Sequence, residues 1–268
     1  MRIVAVESVR AAEGPTVTDA HVEQQGFQGF SRDAIAFLAE LAANNDRAWF
    51  QPRKAEYERL LKRPLEALCV ALAERFASRH VPLVADAARS PFRIYRDVRF
   101  SRDKSPYKPY ASASFPWAGD AASGLRPAPT TPAESHRALG RNGGAGYFHF
   151  APGDVFVGGG MWHPDVSVLR AWRTLVDREP ARVHAALDDA SFVREFGRLD
   201  GDRSVRVPPG FPADHPDADL LRLRDLTFGR RLSDDDVLST ALPDVLADAF
   251  STAVPVFRLL ADVASAAT

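Results

Sequence analysis

The spacing of hydrophobic residues changes twice along the chain. Up to about residue 78 apolar side chains recur at helical spacing, and between about 92 and 158 they alternate with polar ones. From residue 164 onward helical spacing returns for most of the chain. Helices followed by clustered strands and then by helices lack the strict alternation of a doubly wound sheet. The pattern therefore predicts an α+β fold, in which N-terminal and C-terminal helices cover an antiparallel sheet within a single main domain.

The first helices are the best marked. Ser31 is a predicted N-cap, and the apolar face that follows contains Ile35, Leu38 and Leu41. The Asn44-Asn45 pair is predicted to end this helix. A second helical stretch covers residues 49–78, and Pro64 within it predicts a break or kink.

The strands are predicted from alternation and turn signals. The predicted strands are residues 92–100, 111–117, 147–151 and 154–158, with a last strand within 220–232. Pro152-Gly153 is a hairpin signal between two of them. The later helices are predicted after Pro164, at 180–190 and 191–196, after Ser233, and at 243–264.

Two segments show no apolar period. We expect residues 1–26 to be a partly mobile N-terminal extension, and residues 118–146, rich in Ala, Gly, Pro and Thr, to be a long mobile loop. Residues 27–268 are then predicted to form one α+β domain that contains this loop.

The composition indicates a globular protein and argues against a membrane protein. The chain has 268 residues, of which 46% are hydrophobic and 26% charged, and its formal charge is −1. These values are typical of a globular protein, and the charge argues against a nucleic-acid partner. The single cysteine, Cys69, allows no disulfide framework, and no stretch has the length of a membrane span. We therefore expect a cytoplasmic protein with no membrane partner. The excess of Arg over Lys, 30 against 4, suggests a bacterial genome rich in GC.

The near-neutral total conceals a local cluster of positive charge. Residues 89–108 contain seven basic and two acidic residues, a net charge of +5, which leaves −6 for the rest of the chain. If residues 92–100 form a strand, Arg96 shares the apolar face, whereas Arg93, Asp97 and Arg99 face the other side. Guanidinium groups at this spacing can converge on one small oxyanion. The alternative is an internal lattice of salt bridges that ties the sheet to its helices.

These residues also resemble a known family. The run Arg93-x-x-Arg96-Asp97-x-Arg99-Phe100-x-x-x-Lys104-x-x-Tyr107 is similar to the signature of the bacterial conserved hypothetical proteins called "domain of unknown function 2461". Residues 37–50, 158–164 and 208–216 also resemble that family, and the resemblance covers about residues 27–262. It implies a family without an assigned function. The segments 1–26 and 118–146 look larger than is usual there, so no family role is given to them.

The candidate site residues surround this cluster. The predicted acid–base groups are Asp97, Tyr107, His149 and His163, and the predicted substrate ligands are Arg93, Arg96, Arg99, Lys104, Gly159, Gly160 and Trp162. The glycines allow a backbone to approach a ligand closely, and a helix after Pro164 offers free N–H groups to an anion. No metal site is predicted, because His149, Asp154, His163 and Asp165 match no strong ligand spacing.

Several chemistries are disfavoured by missing motifs. The chain has no P-loop and no G-x-S-x-G elbow, and its Gly143–Gly146 run precedes a predicted strand instead of following one. Cys69 lies within a predicted helix, which is a poor position for a nucleophile.

The leading hypothesis is an enzyme that acts on a small anionic substrate bearing a phosphate or carboxylate, held by an Arg/Lys/Tyr cradle. The alternatives are a non-catalytic module that binds an anion or a nucleic-acid backbone, and a structural ion-pair lattice without a ligand. The sequence assigns no cofactor, and it determines neither the reaction class nor the oligomeric state.

Overall fold

The first helix begins where its cap predicts. The computed structural model describes residues 26–99, 101–119 and 144–267. Helix α1, Arg32–Ala43, starts after Ser31, whose hydroxyl accepts the backbone N–H of Ala34 at 3.2 Å. The apolar face of α1 is buried, and Asn44 follows as its C-cap. The predicted first helix is confirmed.

The second helical stretch changes its winding before Pro64. It consists of α2 (Arg47–Phe50), a 3₁₀ turn (Gln51–Arg53), α3 (Lys54–Tyr57), a π-helical turn (Glu58–Lys62) and α4 (Arg63–Ser78). Pro64 has no N–H to give the carbonyl of Leu60, and its ring would clash with that carbonyl in a regular helix. The wider π turn accommodates both effects. The predicted irregularity at Pro64 is therefore present as a change of winding.

The sheet is a four-stranded antiparallel meander. Its strands are β1 (Ala111–Pro116), β2 (Ala145–Ala151), β3 (Asp154–Met161) and β4 (Leu226–Leu232), in the order β1-β2-β3-β4. The predicted hairpin at Pro152-Gly153 joins β2 to β3, with Ala151 opposite Asp154. Gly153 takes the positive φ of 68° that this tight turn favours.

One face of the sheet forms the core. Phe115 of β1 contacts Phe76 of α4 and Phe250, and Phe150 of β2 lies 4.8 Å from Phe30. Because side chains alternate along a strand, the opposite face of the same strands presents polar groups. These are Ser112, Ser114, Tyr147 and His149, which the pairing of β1 with β2 places together.

The C-terminal half covers the apolar face with helices. They are α5 (Val166–Arg178), α6 (Pro180–Leu187), α7 (Ala190–Phe196), α8 (Ala218–Leu221), α9 (Asp234–Leu238), α10 (Leu242–Thr252) and α11 (Val254–Ala266). Phe257 of α11 contacts Phe228 of β4, and Phe192 of α7 packs on the same ring. The predicted α+β class and its arrangement are confirmed.

None of the helices described, taken alone, is both long and apolar enough to cross a membrane; α10 and α11 meet that criterion only as a pair, bent by 58°. Residues 1–25 and 120–143 lie outside the described residues, and with them most of the predicted extension and of the predicted long loop.

The predicted strand at 92–100 is wrong as a regular strand. This segment forms one arm of an irregular hairpin, with isolated bridges from Pro91 to Ala113 and from Tyr95 to Tyr107. Between the two bridges the opposite arm contains two extra residues, and Pro109 in that stretch has no N–H to donate to a ladder. The predicted alternation nevertheless holds. Ile94 is buried and Arg96 is half-buried, whereas residues 93, 95, 97 and 99 are exposed.

The hairpin is attached to the N-terminal helices through Asn45. Its side-chain amide donates to the carbonyl of Tyr107 at 2.9 Å, and its side-chain oxygen accepts the N–H of Tyr107 at 3.0 Å. The Tyr107 ring, 1% exposed, stacks on Phe50 of α2 at 4.1 Å between ring centroids. We call these contacts the Asn45 clamp. They attach the outer part of the hairpin, residues 90–110, to the N-terminal helices, whereas residues 111–114 are held in the sheet as part of β1.

Removal of the clamp should loosen the hairpin. Asn45→Ala deletes two partly buried hydrogen bonds to the backbone of one residue, Tyr107, and we expect it to lower the free energy of unfolding by about 1–3 kcal/mol. The matched control is Asn44→Ala, because the exposed Asn44 side chain only donates to the nearby carbonyl of Glu40. Its expected cost is below about 0.5 kcal/mol. Denaturant unfolding of both variants measures the difference, and equal losses would contradict a special role for Asn45.

Candidate functional site

Ion pairs within the hairpin tip occupy much of the predicted anion cradle. Arg99 makes a bidentate contact with Asp97, with its Nη2 2.7 Å from Oδ2, and Arg96 pairs with Asp103. Lys104 Nζ donates to the carbonyl of Val98 at 2.9 Å. Hydrogen bonds from the Arg99 guanidinium and backbone lower the pKa of Asp97 to about 2. The tip of the hairpin is therefore held by local ion pairs, which do not tie the sheet to its helices as the structural alternative expected.

The surroundings of Asp97 and Tyr107 favour a structural role over an acid–base role. A carboxylate whose pKa is about 2 is a weak base at neutral pH. The ring of Tyr107 is buried between Phe50 and Tyr95, with its centroid 5.5 Å from that of Tyr95. The acid–base roles of Asp97 and Tyr107 remain predictions. Pairing with Arg99 already explains the position of Asp97, and packing on Phe50 explains that of Tyr107.

Lys108 has a different environment. Its ammonium lies 5.0 Å from the ring centroid of Phe92 and 5.9 Å from that of Tyr110. Burial lowers its pKa, and the nearby positive charge of Arg93 lowers it further. Within residues 26–99, 101–119 and 144–267, neither Lys108 nor Arg93 has a carboxylate at ion-pair distance. Two neighbouring cations, one of them half-buried, thus have no directly paired carboxylate there, although Arg93 also acts on Asp97 at longer range.

A row of polar side chains crosses the sheet next to Lys108. Tyr147 Oη lies 3.2 Å from His149 Nδ1 and is also hydrogen-bonded to the side chain of Ser112. His149 Nε2 lies 4.0 Å from Asp154 Oδ2, and the other oxygen of Asp154 accepts from Arg231 Nη1 at 2.9 Å. The register explains the row, since these residues are cross-strand neighbours or share one face of β1 to β4. We call it the polar row.

Burial sets the protonation of the polar row. It raises the pKa of Tyr147 to about 12, so this phenol is protonated at neutral pH. It lowers the pKa of His149, and the opposing effect of Asp154 is smaller. The His149 ring is stacked between Phe156 at 4.8 Å and Tyr110 at 4.6 Å. The row therefore contains a neutral imidazole beside a neutral phenol, a pair that can pass a proton.

Aromatic rings connect Lys108 to this pair. Phe92, under the ammonium of Lys108, lies 6.2 Å from the ring of Tyr147. Tyr110 is shared between Lys108 and His149. Lys108 and the Tyr147–His149 pair thus lie around the same two rings, and Arg93 is near enough to Lys108 to lower its pKa. We call this group the Lys108 site.

Packing within the fold explains why Gly159 and Gly160 are glycines. A Cβ on Gly159 would lie 2.6 Å from the Phe257 ring, on the core face. Gly160 has a φ of 111°, and a Cβ there would lie 2.1 Å from the carbonyl oxygen of Leu226. Close packing of β3 against β4 and α11 accounts for both, so their predicted ligand contact stays a prediction.

The structure places His163 away from His149. His149 pairs with Phe156 near the start of β3, whereas His163 follows Met161, the last residue of that strand. Met161 lies five residue steps beyond Phe156 along the strand, which is about 17 Å. His163 Nδ1 lies 2.9 Å from Asp225 Oδ1, and its ring stacks on Trp162. The two predicted histidines therefore belong to different parts of the surface.

Comparison with known proteins identifies a family. Residues 33–258 match the model of the family described as conserved hypothetical protein (DUF2461). The chain belongs to the DUF2461 family. No curated protein and no solved structure matches it. The resemblance noted in the sequence is thus confirmed, and the DUF2461 match itself carries no activity.

In this DUF2461 protein some family-like residues have clear structural roles. Asn45 and Tyr107 form the clamp, and Asp46 caps α2 through the N–H of Trp49 at 2.9 Å. Cys69 is fully buried, and burial raises the pKa of its thiol, which disfavours a nucleophile. Within the described ranges, no group of three His, Cys, Asp or Glu side chains could hold a metal ion.

The sequence did not bring the members of the Lys108 site together as one site. Lys108 belonged to the cation cluster but was not chosen, because the motif ended at Tyr107. Tyr110 lies in the stretch that interrupts the hairpin, so strand parity gave it no partner. Tyr147 shares a strand face with His149, and that parity was the one available signal. Asp225 is 62 residues from His163, and no local pattern links the two.

The buried imidazole of His149 predicts a pH effect on stability. The folded state resists protonation of His149, whereas the unfolded chain takes up the proton at its ordinary pKa near 6.5. Stability is therefore lost as the pH falls from about 7.5 towards about 5. His149→Gln removes this contribution. The unfolding temperature of the wild type should therefore fall more steeply with decreasing pH than the unfolding temperature of the variant. Parallel curves would contradict the prediction, and His184, whose pKa is raised by Asp188 and Asp217, contributes equally to both.

Proposed function

We propose that this protein is an enzyme that acts on a small anionic substrate held at the Lys108 site. The observation that carries the proposal is the half-buried Lys108 ammonium beside Arg93, without a carboxylate partner in the described part of the chain. A desolvated cation is costly unless an anion compensates it. A bound phosphate or carboxylate would supply that charge.

Aromatic and cationic side chains would surround the anion. Lys108 lies over the rings of Phe92 and Tyr110, so an anion at its ammonium would lie beside these two aromatic side chains. Arg93, which is exposed, can approach from solvent with a guanidinium fork that matches two oxygens of a phosphate or carboxylate. This revises the cradle expected from the sequence. Arg93 stays a ligand, Lys108 joins it, and Arg96, Arg99 and Lys104 shape the hairpin tip.

The polar row supports proton transfer at the same place. Neutral His149 can accept a proton, and Tyr147, hydrogen-bonded to His149 Nδ1, can relay one from the ligand side. An anion on Lys108 would stabilise the imidazolium formed on His149. Asp154, 4.0 Å from Nε2, would stabilise it from the opposite side. The chemistry that these groups support is proton transfer to or from the anionic substrate.

One observation favours the second candidate function, a non-catalytic module for a nucleic-acid backbone. The Tyr95 ring is 44% exposed on the same arm as Arg93 and Arg96, an arrangement that suits stacking of a base next to a phosphate. The formal charge of −1 weighs against it. Bacterial origin and a cytoplasmic location remain part of the proposal for either function.

Anion binding tests the proposal directly. We expect inorganic phosphate, pyrophosphate or oxalate to raise the unfolding temperature of the wild type, and titration calorimetry to give a dissociation constant. Lys108→Met should weaken binding about 10- to 100-fold, since one charge-assisted contact is lost. Lys104→Met is the matched control and should bind as the wild type does, because Lys104 only contacts a backbone carbonyl.

Each outcome has a clear meaning. Absence of stabilisation by all three anions, or equal effects of Lys108→Met and Lys104→Met, would overturn the Lys108 site. Arg99→Ala should leave the affinity unchanged, since Arg99 is already paired with Asp97. Tighter binding of single-stranded oligonucleotide than of phosphate, lost in Tyr95→Ala, would favour the second candidate.

A second prediction separates proton transfer from simple anion binding. Bound phosphate should raise the pKa of His149, because a nearby anion favours the charged imidazole. A pH titration of the ring resonances by NMR, with and without phosphate, measures this shift. His184 on α6 serves as an internal control, since it is held by Asp188 and Asp217 and should not respond. An unchanged pKa of His149 at saturating phosphate would contradict a role for His149 in proton transfer.

A further inference from the structure

The turn that follows β3 has an unusual backbone. His163 adopts a φ of 53°, in the left-handed region that residues with a side chain rarely enter. Pro164 follows it and α5 begins at Val166. Strained residues of this kind persist only where surrounding contacts hold them, and they are found disproportionately at functional sites.

A single carboxylate oxygen holds this conformation. Oδ1 of Asp225 accepts the backbone N–H of His163 at 2.6 Å and lies 2.9 Å from its ring Nδ1. Asp225 is 4% exposed and lies just before β4, next to the end of β3. The carboxylate is thus built into the fold, and it fixes both the backbone and the ring of His163.

This contact also decides which ring nitrogen carries the proton. Oδ1 acts as an acceptor towards the backbone N–H, so the ring Nδ1 must donate to it. In the neutral ring Nε2 is then unprotonated, with its lone pair free to accept a hydrogen bond. Among the residues described, none forms a hydrogen bond or ion pair with Nε2 of His163, and the His163 side chain is 62% exposed. A buried Asp that orients an accessible imidazole in this way is the arrangement by which a carboxylate prepares a histidine base.

Trp162 adds an aromatic surface. Its ring lies 3.9 Å from that of His163 at an interplanar angle of 20°, and 48% of the residue remains exposed. Val166, at the start of α5, is 73% exposed nearby in the chain. An exposed indole stacked on an oriented imidazole offers both a flat apolar contact and a hydrogen-bond acceptor.

We infer that Trp162 and His163 form a second ligand site, in which His163 is a base for a planar aromatic ligand that carries an O–H or N–H donor. The ligand's donor would reach Nε2 in the plane of the imidazole, and the ligand ring would contact the exposed edge of the Trp162 indole. Proton transfer breaks the ligand's O–H or N–H bond and forms Nε2–H. The ligand keeps the electron pair as an anion, and the imidazolium remains paired with Asp225.

This site is independent of the Lys108 site. The sequence suggested one site that included both His149 and His163, but the length of β3 separates them. The Lys108 site is cationic, whereas the residue that supports His163 is an acid. Phosphate and an aromatic donor are therefore distinct probes, and one proposal can fail while the other stands.

The first experiment tests the protonation of the ring. Two-bond ¹H–¹⁵N NMR spectra distinguish a bare ring nitrogen from a protonated one, and the wild type should show Nδ1–H with bare Nε2 at His163. Asp225→Ala removes the acceptor that fixes Nδ1–H, so a larger share of the neutral ring should carry its proton on Nε2. A neutral wild-type ring with its proton on Nε2 would overturn the inference.

The second experiment tests the ligand class, with 4-nitrophenol as the probe. We expect saturable shifts of the His163 ring resonances, and at least about tenfold weaker binding in Trp162→Ala and in His163→Gln. The ether 4-nitroanisole, which has the same ring but no O–H, should bind at least about tenfold more weakly than 4-nitrophenol.

His184→Gln is the matched control, because that exposed imidazole has carboxylates at both ring nitrogens and no free acceptor. It should bind 4-nitrophenol as the wild type does. Equal binding of phenol and ether, unchanged affinity in Trp162→Ala, or no shift at His163 would each overturn the proposed site.

Discussion

The position of the outer part of the hairpin, residues 90–110, depends on the Asn45 clamp, because only residues 111–114 are held in the sheet as part of β1. One side-chain amide satisfies both the N–H and the C=O of Tyr107, and the buried Tyr107 ring packs on Phe50. Without Asn45, the N–H and C=O of Tyr107 would have no hydrogen-bond partner in the sheet and would be left unpaired near the core. Because the hairpin carries Phe92, Lys108 and Tyr110, the clamp also determines where these groups meet Tyr147 and His149.

Charge has two different roles within the same hairpin. At the tip, Arg96 and Arg99 meet Asp103 and Asp97, partners only a few residues away, in pairs that solvent largely screens. Nearer the sheet, Lys108 is half-buried and has aromatic neighbours in place of a carboxylate. Desolvation separates the two roles, because the same positive charge costs little at the surface and much beside aromatic rings. Net charge alone cannot show this difference.

Much of the fold could be predicted from the sequence, and the exceptions have physical causes. Apolar periodicity located α1, α4 and the β2–β3 hairpin, since each buries one face. It failed at 92–100, where burial alternates but Pro109 and two extra residues interrupt the ladder. A strand needs partner N–H groups as well as alternation. For the candidate site, strand parity placed Tyr147 beside His149, whereas it gave no partner for Lys108 or Tyr110.

The sequence by itself determined the family, the α+β class, the capped first helix and the dense cation segment, because each of these follows from local order along the chain. Only the tertiary structure decided which cations are already paired, that His149 and His163 lie at opposite ends of β3, and that Asp225 orients His163 across 62 residues. Burial and long-range contact set the protonation and availability of a side chain, and neither is encoded by the spacing of its neighbours.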